Sequence, residues 1–185
     1  MAAYKSIYKR SAEYGVPFGA YLSVLTISGI YSDKLSVLTI LSLAMLIAIP
    51  FIVYRYQRRT FLQEGGTTEF AALWMMGILT FIYGSLLCCL VSYFVLQYLR
   101  PGYLYEQAQI AINTYKAIPG MQNSDIVRVL QQAIKNNMLP TAIQFLFNLF
   151  WVGTFCGSVL SALLAFIAEK IPLPKDLDER NSRGN

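Results

Sequence analysis

Histidine is absent from the 185 residues, and charge is scarce: 14% of the chain is charged, against about 25% in typical soluble domains. Without histidine the chain lacks the usual general base near neutral pH and the commonest metal ligand. No Gly-x-Ser-x-Gly nucleophile turn and no Walker-type phosphate loop occurs. The three cysteines, Cys88, Cys89 and Cys156, form no Cys-x-x-Cys pair and read as thiols used as small apolar residues. Neither a catalytic residue, a metal ligand nor a cofactor-binding residue is expected, and the chain is not read as an enzyme. The charges that do occur avoid four stretches: Tyr14–Ser32, Leu35–Tyr54, Phe70–Leu99 and Asn136–Ala168. Proton- or sodium-coupled transporters carry ionisable groups inside their spans, so that mechanism lacks its parts here.

Each of these stretches reaches the roughly 17–25 residues that a helix needs to cross a bilayer. The expected fold is therefore all-α: a polytopic membrane protein with four transmembrane helices in a single domain, residues 1–171. Span one is placed at Val16–Tyr31, with Pro17 in its first turn and an amphipathic interfacial segment ahead of it. Ser32-Asp33-Lys34 joins it tightly to span two, Leu35–Tyr54, which Pro50 should bend. Gly65-Gly66 breaks the chain, and Thr67 or Thr68 caps span three. Span three is too long for the ~30 Å hydrocarbon core and should tilt or extend beyond it. Between spans three and four, residues 101–137 form an external insertion of two short amphipathic helices. Their apolar stripes are Leu104, Ala108, Ala111, Ile112, Tyr115 and Ile126, Val129, Leu130, Ala133, Ile134. Pro119-Gly120 turns the chain and Asn123 or Ser124 caps the second helix. Residues 172–185 are polar, without apolar periodicity, and are expected to be a disordered cytoplasmic tail.

Lysine and arginine beside the spans set the orientation. With the termini inside, the inner segments hold Lys5, Lys9, Arg10, Arg55, Arg58, Arg59, Lys170, Lys175, Arg180 and Arg183. The outer ones hold Lys34, Arg100, Lys116, Arg128 and Lys135. Both termini are therefore placed in the cytoplasm. The net charge of +5 comes from these flanking residues, so nucleic acid is not an expected partner.

Helices in lipid associate by close approach of small residues. Span three carries Thr80, Gly84, Cys88 and Ser92 four residues apart; span four carries Gly153, Gly157, Ser161 and Ala165; span one carries Ser11, Gly15, Gly19 and Ser23. The ladders of spans three and four are expected to face each other, or to join two copies in a homo-oligomer. Asn148 in span four is expected to bond Thr80, Tyr83 or Ser85 across the helix interface. Arg55, Arg58 and Arg59 concentrate charge at one membrane face, where they would attract anionic membrane lipids or dock a protein partner.

Several pieces in order carry a resemblance: Tyr14-Gly15-Val16-Pro17-Phe18-Gly19, the basic stretch Tyr54–Arg59, Gly65-Gly66-Thr67-Thr68-Glu69-Phe70, and Pro101-Gly102-Tyr103-Leu104. From Tyr4 to Lys170 the chain resembles an uncharacterised family of small four-span bacterial membrane proteins, known only as a domain of unknown function. Members usually carry an acidic residue where this chain has Arg100. The resemblance brings no activity or catalytic residue. It implies the bacterial inner membrane and, as a partner, a membrane-associated glycosyltransferase. The leading expectation is a non-enzymatic accessory or scaffold protein, partnering an envelope glycan or lipid biogenesis enzyme. The alternative is a small homo-oligomeric channel or transporter, with a polar path along Gln144, Asn148, Thr154 and Ser158.

Overall fold

The computed structural model describes residues 7–33, 35–66, 68–118, 125–136 and 138–171. Among them the chain is all-helical, with no strand. The helices are α1 (Ile7–Tyr31), α2 (Ser36–Gln63), α3 (Phe70–Phe94), α4 (Tyr103–Ala117), α5 (Asp125–Lys135) and α6 (Ala142–Lys170). A π-helical turn, Val95–Leu99, continues α3 and closes when the Arg100 amide donates to the Val95 carbonyl. Three helices are long and apolar enough to span a membrane: α2, α6, and α3 with its π turn. The fourth expected span falls on α1, which has the length but not the apolarity.

The reason lies in what α1 buries. Its buried residues are Ser11, Gly15, Phe18, Gly19, Ser23, Ser28 and Ile30, mostly small or polar. A helix that packs against other helices needs smallness more than greasiness. The helix also starts earlier than expected. It runs unbroken from Ile7, so Pro17 lies in its interior and residues 7–15 are no separate interfacial segment. Proline costs the helix one backbone bond there, and the burial of Ser11 and Gly15 holds the preceding turns helical.

The chain forms two compact units, Met1–Cys89 with Phe150–Asn185, and Leu90–Leu149. In the first, Phe18, Val53 and Phe81 make the central cluster, with Phe18 edge-on to Phe81 at a centroid distance of 5.0 Å. A second cluster joins Phe61, Leu73 and Ala165, with Phe70 against it. Tyr21 of α1 donates to the Met45 carbonyl of α2 at 2.5 Å, one turn before Pro50. The turn after α2 uses left-handed glycines, Gly65 (φ 66°) and Gly66 (φ 78°), a region closed to most side chains. Thr68 does not serve as a simple cap. Its hydroxyl donates to Glu64, whose other oxygen accepts from Arg10 at 2.7 Å. This part-buried cluster ties the start of α1 to the α2–α3 turn.

In the second unit, α4 buries Ala108 and Ile112, the centre of its expected stripe. The stripe of α5 is shifted: Val127 is buried, while Ile126 and Val129 stay exposed. Arg100 lies over the Tyr103 ring and pairs with Glu106 one turn into α4, at 2.5 Å. The Pro119-Gly120 turn, the caps at Thr67, Asn123 and Ser124, and the 172–185 tail lie outside the described residues.

Candidate functional site

The small-residue ladders build the core of the first unit, but they do not pair as expected. The ladder of α3 meets α1. A Cβ placed on Gly84 would lie 2.7 Å from Cδ1 of Phe18, and one on Gly19 would lie 2.9 Å from the Gly84 carbonyl oxygen. One on Gly15 would meet the Tyr83 Cβ at 2.6 Å, with the Thr80 carbonyl beside it. Cys88 and Thr26 share a hydrogen bond at 3.2 Å, and Ser11 donates to the Met76 carbonyl at 3.2 Å. Thr80 returns its own hydroxyl to the Met76 carbonyl at 2.8 Å. Ser92 is fully buried in the second unit.

The ladder of α6 meets the neighbouring row of α3: Leu73, Gly77, Phe81 and Ser85. A Cβ on Gly157 would run into the Phe81 ring. A Cβ on Gly77 would collide with the Ser161 hydroxyl and lie 2.8 Å from the Gln57 side chain. Ala165 packs in the Phe61–Leu73 cluster, and Gly153 faces Ser85 across a looser 3.8 Å. The physical reason is the helical period. Rows four apart lie about 100° from their neighbours, so α3 offers its small-residue row to α1 and the adjacent row, of mixed size, to α6. Trp74 reinforces the second contact by donating its indole N–H to the Ser158 carbonyl at 3.1 Å.

The amide that joins helices is Gln57, not Asn148. Gln57 is fully buried. Its Nε2 donates to the Ser161 hydroxyl at 2.8 Å and the Ser161 carbonyl at 3.1 Å, and reaches the Leu73 carbonyl at 3.4 Å. The Ser161 hydroxyl in turn donates to the Trp74 carbonyl at 3.3 Å. One side chain thus links α2, α3 and α6. Its Oε1 is buried without a partner among the described residues. Asn148 instead is exposed on α6. Gln144 forms a capping box at the start of α6: its Oε1 accepts from the Thr141 amide at 3.0 Å while the Thr141 hydroxyl accepts from the Gln144 amide at 3.3 Å. Sequence reasoning missed Gln57 because it sits among arginines. The signal was present in the spacing of Val53, Gln57, Thr60 and Phe61, one helix face and all buried.

The three arginines separate by face. Arg58 turns toward α6, where its Nη1 donates to the carbonyls of Ala168 and Ile171, both at 2.9 Å. These carbonyls belong to the C-terminal end of that helix, where partners within the helix run out and a cation is favoured. The guanidinium also lies 5.4 Å from the Phe61 ring centroid. Arg55 and Arg59 are exposed on the opposite side of α2 from Gln57. They border an open hollow of about 810 Å³ lined also by Tyr54, Arg58, Leu62 and Gln63.

A further groove of about 330 Å³ opens between α2 and α6. Leu46, Ile49 and Pro50 form one wall, Gly153, Cys156, Gly157 and Leu160 the other, over a floor that includes Phe81 and Ser85. Among the described residues no three His, Cys, Asp or Glu side chains come together where they could hold a metal. Chemically, the unit offers helix-to-helix hydrogen bonds, an apolar groove and two outward-facing guanidiniums.

The chain matches no curated protein and no solved structure. A family model described as "Protein of unknown function (DUF4199)" matches residues 13–170, which takes in most of α1 and every later helix. The chain is a member of the DUF4199 family, proteins of unknown function.

Proposed function

We propose that this protein is a non-enzymatic accessory or scaffold protein of a bacterial inner membrane. The observation that carries the reading is where the polar side chains of the first unit go. Gln57, Ser161, Thr26 and Ser11 each bond a neighbouring helix rather than lining a passage. α1 acts as the fourth span, both termini face the cytoplasm, and the α4–α5 pair is external. The expected partner is a membrane enzyme of envelope glycan or lipid biogenesis, such as a membrane-associated glycosyltransferase. The groove between α2 and α6 gives such a bundle an apolar outer feature.

The polar path proposed for the channel or transporter alternative is not continuous. Gln144 is occupied at its own helix start and Asn148 is exposed, while the Thr154 hydroxyl is buried without a partner among the described residues. In-cell crosslinking, purification in mild detergent and mass spectrometry test the proposal. Stoichiometric recovery of one membrane enzyme is expected. Recovery of a closed homo-oligomer alone, together with ion or solute flux in liposomes, would overturn it.

A further inference from the structure

Arg55 and Arg59 lie one helical turn apart on the outer face of α2, both exposed, and neither makes a hydrogen bond or ion pair with a described residue. Arg58 beside them is engaged by the end of α6. The two arginines are therefore set apart from the one that holds the bundle together. Their depth can be read from the helix. From Ser36 to Arg55, α2 advances roughly 28 Å at about 1.5 Å per residue, which matches the ~30 Å hydrocarbon core. With Ser36 at one edge of the core, both guanidiniums stand at the level of the phosphates of the opposite leaflet. The hollow they border is lined also by Arg58, whose Nη1 is held by the end of α6, and has a tyrosine and a glutamine for further hydrogen bonds. Guanidinium forks match phosphate oxygens in pairs, which a lysine ammonium does not.

We infer that Arg55 and Arg59 form a clamp for the phosphate of one anionic phospholipid at the cytoplasmic leaflet. The charge complementarity identifies the ligand class, and the membrane depth favours a lipid phosphate over a soluble one. The assignment rests on α2 crossing the bilayer and, for the leaflet, on the orientation proposed above; it stands whether or not the protein is a scaffold.

The test uses the full chain in nanodiscs of phosphatidylcholine with a minor fraction of phosphatidylglycerol, with retained lipid counted by native mass spectrometry. The wild type should retain phosphatidylglycerol preferentially. The double variant Arg55→Gln/Arg59→Gln should lose this preference about 30-fold, if each charge contributes the roughly 1 kcal/mol typical of a basic residue at an anionic surface. It should keep its thermal midpoint, since neither side chain packs in the core. Arg58→Gln should do the reverse, lowering the midpoint while keeping most of the preference. Arg55→Lys/Arg59→Lys should recover only part of it. Equal lipid retention by the wild type and the double glutamine variant would overturn the clamp. Displacement of the lipid by millimolar inorganic phosphate would overturn the lipid as the source. A preference that emerges only once Asp176, Asp178 and Glu179 are neutralised would identify the chain's own acidic segment as the resident occupant and overturn the lipid.

Discussion

Helices α1 and α2 are neighbours in sequence and opposites in use. α1 holds no stretch apolar enough to qualify as a span, yet it buries residues along most of its length, from Ser11 to Ile30. α2 qualifies readily as a span, yet no residue between Ser36 and Ile52 is buried, and Val37, Ile40, Ile47 and Phe51 are each at least 60% exposed. In a bilayer this inversion is expected. Lipid tails are as apolar as leucine, so apolarity marks the surface that lipid covers, while small and weakly polar residues mark the surface that another helix covers. α2 itself changes character along its length. Beyond Ile52 it buries Val53, Gln57, Thr60 and Phe61 and so joins the core.

The largest effects should come where helices touch through glycine. Gly77→Leu would force a side chain into Ser161 and Gln57, and a loss of about 3 kcal/mol is expected in unfolding experiments in mixed micelles. Unchanged unfolding would break the claim that α3 and α6 meet at this row. Next comes a comparison within one ladder. Gly157→Leu must displace the Phe81 ring and should cost on the order of 2 kcal/mol. Gly153→Leu, facing the open groove, should cost less than about 1 kcal/mol. Equal losses would mean that the ladder packs uniformly along its length.

Gln57→Leu sharpens the same comparison on the polar side. It removes three short contacts but also the buried, unpartnered Oε1. The net loss should therefore be small, about 1 kcal/mol, near the ~0.6 kcal/mol average for interhelical bonds in membranes. A loss above about 3 kcal/mol would show that the node organises the whole bundle. The smallest effect is reserved for the exposed half of α2, residues 36–52. Ile40→Ala should change thermal stability by no more than about 0.5 kcal/mol. A larger drop on a monomeric preparation would mean that Ile40 is covered by protein.

Much of this architecture is legible along the chain. Charge-free stretches locate α2, α3 and α6, while the fourth, Tyr14–Ser32, falls on α1, which begins earlier and is not apolar enough to count as a span; the apolar stripes of residues 103–135 locate α4 and α5. The resemblance carried by Tyr14–Gly19, Tyr54–Arg59 and Gly65–Phe70 agrees with the family match over residues 13–170. The small-residue ladders of α1, α3 and α6 are also visible by spacing alone, because the helical period is a local property.

What the ladders meet is not local. Gly84 against Phe18 and Gly19, Gly157 against Phe81, and Gln57 against Ser161 join residues far apart in sequence, and nothing in the spacing of one helix states which row of another it will meet. The three arginines make the same point: one sequence cluster becomes a helix-end contact at Arg58 and an outward-facing pair at Arg55 and Arg59. Sequence by itself determined which segments are helical and that α2, α3 and α6 are apolar enough to span a membrane, since both follow from local composition and period. Only the tertiary structure decided which small-residue rows touch and which arginines remain outside, because close packing selects partners by shape at long range.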